Sequence, residues 1–414
     1  MGIAYDADGG TLTFYKNGVS LGTAATGITV PSNGFVPIIF GGANSATGNI
    51  NFGQRSFAYT PPSGFKALCT ANLPVATIKQ GNKYMDATLY SGNLIGQAIT
   101  NAASFKPDLV WIKSRSAATD NKLTDNVRGA QTALVSNSTA AETTDLTGVV
   151  SFNTNGFTLG TSTTYNNTGA TYVGWQWQAG QGSTSSNTNG SITSTVSVST
   201  TAGFSIVTYT GTGANATVGH GLGVAPKMVI IKTRSGVADW AVYHDGLGNT
   251  KGIYLNQTSA AITSANFWNN TSPTSTVFTT GAGVVGNGVT AVAYCFAEIA
   301  GFSKFGSYTG NGSADGPFVY LGFRPKLVLV KRTDAVQDWY MWDSVRTGYN
   351  MANYLLFPNL SQAEYSSTES QIDLLSNGFK IRAASPPATG SNASGGTYIY
   401  MAFAENPFAQ SNAR

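Results

Sequence analysis

The side chains best able to do chemistry crowd into two stretches, DWAVYHD from Asp239 and DWYMWDSVR from Asp338. A pair of carboxylates hydrolyses a glycosidic bond when one acts as acid and the other as base or nucleophile. The acids on offer are Asp239 with Asp245, Asp338 with Asp343, and Glu298 or Glu405. They recur at matching places along the chain, as scaffold turns do, and a glycosidase built on them would carry two or three active sites. Trp240, Tyr243, Trp268, Trp339, Tyr340 and Trp342 lie in or near the same stretches. Flat aromatic faces beside Asp, Asn and Arg suit sugar hydroxyls, and they suit a core or a subunit interface as well. Candidate ligand-binding residues are therefore Trp240, Tyr243, His244, Asp245, Trp339, Trp342, Asp343 and Arg346, with burial in a core or interface as the competing reading.

Other chemistries find little material. With only His220 and His244, a histidine-rich metal centre is impossible and a catalytic triad has little to draw on. His220 sits in the glycine-flanked VGHGLG, where a local hydrogen bond is its expected work. A nucleophile elbow G-x-S-x-G and a phosphate loop are both missing. Asp6-Ala-Asp8-Gly-Gly begins like a calcium loop but lacks the later acids such a loop needs, so a plain hairpin turn is expected. No catalytic, cofactor-binding or metal-ligating residue is assigned, and no cofactor is expected.

Composition narrows the class of molecule. Charged residues make up 10% of the 414, and Gly, Ser, Thr, Asn and Ala fill their place. With 49 Gly, 21 Phe and 19 Tyr, the chain reads as many short strands joined by turns. A net charge of +4, scattered, does not imply a nucleic-acid partner. No apolar run reaches the roughly 20 residues of a membrane helix, and the N-terminus is no signal peptide. Cys69 and Cys295 lie in apolar stretches and read as two buried thiols, although a disulfide between them is the other possibility.

The elements that would position those side chains repeat three times. PDLVWIKSR at 107, PKMVIIKTR at 226 and PKLVLVKRT at 325 share a proline, alternating aliphatics and a lysine. Tyr90, Tyr209 and Tyr308 each precede that proline by 17 residues, and Trp177, Phe296 and Phe403 follow it by 70, 70 and 78. Such constant spacing marks an internal repeat of roughly 90 residues. In PKLVLVKR, Leu327 and Leu329 take one face and Val328 and Val330 the other, as in a strand covered on both sides. The lysine is expected at the strand's solvated end. SFNTNGFTLG and DLLSNGFKIR each place Asn-Gly before an alternating strand, a hairpin signal. Helix is nearly absent, with SQAEYSSTES at 361 as the best short candidate. The reading is a β-sandwich in each of 84–180, 201–300 and 301–408, with 181–200 as a polar linker or an edge. Repeats 2 and 3 nearly abut and are expected to stack as rigid beads.

Residues 1–75 differ. TLTFYK, Asn17-Gly18 and VSLG form a hairpin in which Asn-Gly supplies a type I′ turn. Gly2 to Asp6, Leu12 to Gly18, Pro37 to Phe40 and NFGQ from Asn51 resemble the C-terminal half of a SPRY domain, a β-sandwich interaction module. A whole SPRY sandwich has more strands before Gly2, so a partial one is expected here, and no ligand site of that family is carried over.

The stretch from GSYTGNGSADG through DLLSNGFKIR to GGTYIYMAFAENPF resembles the C-terminal repeats of bacteriophage tail fibres and related virion proteins. That resemblance spans about 84 to 408 and brings no catalytic residues. It implies a phage virion protein exposed to the host surface. The overall expectation is all-β, tandem β-sandwiches, a partial SPRY-like one plus three related repeats. The expected function is non-enzymatic host attachment through a surface glycan or receptor. The expected assembly is a homo-oligomer, a trimer favoured, beside other virion proteins, without nucleic acid or membrane insertion. Head or baseplate decoration and polysaccharide depolymerisation are the alternatives.

Overall fold

The computed structural model of the chain describes residues 1–29, 49–69, 72, 76–382 and 390–407. Two compact bodies divide the chain, Met1–Val75 and Ala76–Arg414. Strands hold 43% of the residues and helices 4%, so the all-β reading stands.

In the first body, strands Gly2–Asp6, Thr11–Lys16 and Val19–Ala25 form an antiparallel sheet in sequence order. The turn at Asn17 and Gly18 has φ of 54° and 81°, the left-handed values a type I′ turn requires. Asp6 Oδ1 accepts from the amides of Asp8 (3.0 Å) and Gly9 (2.9 Å), so the acid straps its own turn. Pro37 to Phe40 lie outside the described residues.

The second body holds the three repeats. Each is built on a central strand, Leu109–Ser114, Met228–Thr233 or Phe323–Arg332. On one side it pairs with a return strand, Thr171–Trp177, Thr290–Phe296 or Thr397–Pro407. On the other it pairs with Lys122–Asp125, Ala241–His244 or Trp339–Asp343. A smaller sheet covers one face. Val110 and Ile112 pack with Phe157 and Leu159 in repeat 1, and Val229 and Ile231 with Phe278 in repeat 2. Strand alternation then turns Leu109 and Trp111, Met228 and Ile230, and Leu327 and Leu329 to the opposite face. All six lie in one buried core that draws on all three repeats. The expectation of separate stacked beads is thus corrected, because the second face of each sandwich is covered by its sister repeats.

Three further local expectations are decided by the structure. Within 181–200, Ser185–Asn187 and Ser194–Ser199 are strands, and the latter pairs with Phe204–Thr210. Of the two readings of this polar stretch, linker or edge, the edge is the one found, that of the repeat 2 sheet. SQAEYSSTES is not helical; its Tyr365–Ser366 pairs with Tyr354–Leu355. Its run of Ser and Thr competes with a helix for backbone hydrogen bonds. Among the described residues, the α-helical turns are Thr163–Asn166 and Ala265–Trp268, each with a serine hydroxyl accepting at its N-terminus. Finally, the two Asn-Gly hairpins form, but Gly156 and Gly378 pair inside the strands. A Cβ there would come within 1.9 Å of the Ile99 carbonyl oxygen and 2.1 Å of the Val319 one. Close approach of an edge strand, more than the turn, requires those glycines.

Candidate functional site

Trp240, His244, Trp339, Asp343 and Arg346 converge on the surface where the repeats meet, whereas Tyr243 packs on Trp268 inside repeat 2 and Trp342 on Tyr340 inside repeat 3. Trp177, Phe296 and Phe403, the aligned ends of the return strands, form a triangle with ring centroids 6.4, 6.0 and 5.9 Å apart. This is the hub of a pseudo-threefold ring. A residual cavity of about 10 Å³ beside it is lined by side chains of all three repeats, among them Trp111, Ile230, Tyr294 and Met401. Its lining is apolar, so it stays dry.

Around the hub, equivalent positions make equivalent bonds to the next repeat. Trp240 Nε1 donates to the Val135 carbonyl at 2.9 Å, and Trp339 Nε1 to the Tyr254 carbonyl at 2.9 Å. Repeat 1 has Asn121 in that position, and its Nδ2 donates to the Phe357 carbonyl at 2.9 Å. Backbone bonds follow the same cycle, Glu142 N to Arg234 O, Ala261 N to Thr333 O and Glu364 N to Arg115 O, at 2.8 to 2.9 Å. Asp120, Asp239 and Asp338 each accept from an asparagine, Asn137, Asn256 and Asn359, at 2.8, 2.6 and 2.6 Å. Each asparagine oxygen then accepts from the backbone amide of Asn121, Trp240 or Trp339. The acids offered for catalysis at 239 and 338 thus fasten a turn in every copy.

Two of the three interfaces carry buried ions. In repeat 1, Arg128 binds Asp125, with both side chains fully buried, and Glu142 at 2.9 Å. Glu142 also takes Arg234 of repeat 2 at 2.9 Å, and Asp125 accepts from the Tyr294 hydroxyl of repeat 2 at 2.8 Å. Burial works against the charge of Glu142, but Arg234 and Arg128 outweigh it and hold the carboxyl below its ordinary range. Burial likewise opposes the charge of Arg128, and Asp125, Tyr294 and Glu142 together more than offset it, so the guanidinium stays protonated. Repeat 3 repeats the pattern toward repeat 1. Arg346 binds Asp343 at 2.6 Å and Glu364 at 3.2 Å, Glu364 takes Arg115 at 2.8 Å, and Trp175 Nε1 donates to Asp343 at 3.1 Å. The interface of repeats 2 and 3 has His244 in the position of Asp125 and Asp343. Its Nδ1 accepts from the Gly246 amide at 3.0 Å, so Nε2 donates to the Tyr400 carbonyl at 3.0 Å. Burial lowers that imidazole to about 4, from an ordinary 6.5, and keeps it neutral.

The predicted ligand platform is therefore almost wholly interior. Trp240, Tyr243, His244, Trp339, Trp342, Asp343 and Arg346 are all buried, and Asp245 alone is exposed, paired with Lys227 at 2.9 Å. Core and interface prevail over a sugar platform there because Trp240, Trp339 and Asp343 find partners across a repeat boundary. The lysine of the repeat is corrected too. Lys113, Lys232 and Lys331 are fully buried, and burial brings each to about 8. Lys232 and Lys331 donate to carbonyls of the preceding repeat, Thr139 at 3.0 Å and Thr258 at 3.1 Å. His220 does the local work expected of it, accepting from Leu222 N and contacting the Thr274 carbonyl. Cys69 and Cys295 are free; Cys295 is buried and Cys69 half-buried.

Sequence reasoning passed over Arg115, Arg128, Glu142, Arg234 and Glu364. The signal was present: Arg115 and Arg234 both stand eight residues after their repeat's proline. It also passed over a surface feature of repeat 3. Strand Phe318–Tyr320 is the edge of a three-stranded sheet, with Val319 buried and Phe318 (46%) and Tyr320 (42%) exposed. Lys304 Nζ lies 5.5 Å from the centre of the Tyr320 ring. Register places Ala98 and Thr100 of repeat 1, and Thr217 and Gly219 of repeat 2, at the two aromatic positions.

A model of a family described as a domain of unknown function, DUF7483, matches residues 80–407. The chain belongs to that family. Because the DUF7483 match spans all three repeats, the closed ring lies within it. The SPRY domain matches residues 1–55, in keeping with the N-terminal hairpin sheet. No curated protein and no solved structure matches the chain.

Proposed function

We propose that the chain is a non-enzymatic phage virion protein, a tail fibre or similar appendage, that attaches to glycans on the host surface. The SPRY match supports an interaction role, since SPRY domains are interaction modules, and the phage fibre part of the reading extends the resemblance of the repeat sequences. The observation that carries the reading is the fate of the reactive residues. Asp239, Asp338 and Asp343, His244 and the indoles of Trp240 and Trp339 are each committed to a structural hydrogen bond, while aromatic side chains face outward on a sheet of repeat 3. A homotrimer beside other virion proteins belongs to the same proposal. The ring is already closed within one chain, so a trimer of chains would join through surfaces outside it.

A second reading, head or baseplate decoration, draws support from the pseudo-threefold ring, which presents three related surfaces as a site among three subunits would require. Purified full-length chain mixed with bacterial cells tests the first reading. The expected result is adsorption without release of reducing ends. Failure to adsorb to any host cell overturns attachment, and reducing-end release overturns the non-enzymatic claim.

A further inference from the structure

We infer that the outer face of the repeat 3 edge strand is a binding site for an acidic polysaccharide, with Phe318 and Tyr320 as stacking platforms and Lys304 as the cation that selects a carboxylate. This rests on the attachment reading above and locates its site. Residues two apart on a strand face the same way, about 6.6 Å along it, so two neighbouring sugar rings can each meet an aromatic face. Across the strand, Phe318 registers with Lys380 and Tyr320 with Gly378, and the Phe318 ring lies close to the Cα of that glycine, where a Cβ would be 3.1 Å away. The surface around the rings is thereby kept low and open.

The surrounding charges choose the ligand. Asp315 is taken by Lys380 at 2.6 Å and Arg382 at 2.9 Å, and Asp373 by Arg382 at 3.3 Å. Lys304 forms no ion pair among the described residues. Lys380 and Arg382 are thus engaged, and the unpaired Lys304 sits over a stacking ring. A neutral sugar would leave that ammonium without a counter-charge, and a uronate or sialate supplies one. The copies argue for function over packing. Repeat 1 builds the same three-stranded sheet with Ala98 and Thr100 at an edge, so the fold does not call for aromatic rings there.

The test is titration of the full chain with alginate oligosaccharides, polysialate and dextran, followed by the variants Phe318→Ala, Tyr320→Ala and Lys304→Gln. We expect binding of one or both acidic polymers above dextran. Each aromatic truncation should lose about tenfold in affinity. Lys304→Gln should lose about fivefold and flatten the salt dependence. Both rings are exposed, and unchanged thermal unfolding of the variants confirms that they fold. Equal affinity for dextran, or no binding of any of the three polymers, overturns the proposal. If the chain adsorbs to cells and Tyr320→Ala adsorbs equally well, this site is wrong while attachment stands.

Discussion

The three contacts that close the ring are built alike and charged differently. Repeat 1 meets repeat 2, and repeat 3 meets repeat 1, through an Asp, a Glu and two Arg, whereas repeat 2 meets repeat 3 through His244, Leu247, Ala261 and Thr333 at the same positions. All three keep the backbone bond and the side-chain donor to the neighbour's carbonyl. Ring geometry is therefore set by the backbone ladder and the apolar hub. The ions are a layer on top, which one interface does without. A buried pair gains little over a well-packed apolar set, yet breaking one leaves a charge stranded. The charged interfaces are thus the brittle ones.

Arg346→Leu should have the largest effect, about 3–5 kcal/mol of stability, because Asp343 stays buried without its partner. Converting the whole set to the residues of the uncharged interface, with Asp343→His, Arg346→Leu, Glu364→Ala and Arg115→Thr, should cost less than that single change. Denaturant midpoints check both, and a quadruple variant weaker than the single one would break the comparison. Next comes pH. Unfolded, His244 titrates near 6.5; in the ring it titrates near 4, so the unfolded chain binds more protons between those values. Its share of stability is whole above pH 6.5 and is lost as pH falls toward 4, about 3 kcal/mol in all. Burial lowers His220 as well, and it acts in the same direction. His244→Gln should remove most of that slope in a series of melting temperatures against pH.

Trp339→Phe strips the donor from the Tyr254 carbonyl at the uncharged interface, and Trp240→Phe strips it from Val135 at a charged one. Each should cost about 1–2 kcal/mol. Equal losses in urea unfolding would show that the indole bond is independent of the ions beside it. The smallest effect belongs to the repeat 3 surface. Phe318→Ser and Tyr320→Ser should leave calorimetric stability within about 0.5 kcal/mol of the parent, since no buried packing depends on them.

Much of this molecule was legible before any coordinates. The proline-to-lysine strand, its alternation and its spacing from Tyr90, Tyr209 and Tyr308 followed from composition and period. The Asn17-Gly18 hairpin followed from turn chemistry. The burial of Lys331 did not. A lysine after an apolar run normally reaches solvent, and here Thr258 of the preceding repeat closes over it. Trp339 was equally opaque, because Asp-Trp beside a turn reads the same whether the indole faces a sugar or a neighbouring carbonyl.

The sequence by itself determined the strands, their threefold recurrence and the residues each copy repeats, because those depend on local spacing and backbone preference. Only the tertiary structure decided that the copies close on one another. That closure turns most of a candidate ligand platform into the seams of a ring. The physical reason is distance along the chain: Trp175 and Asp343, or Asn121 and Phe357, meet across more than 160 residues, and no local pattern encodes such a partner.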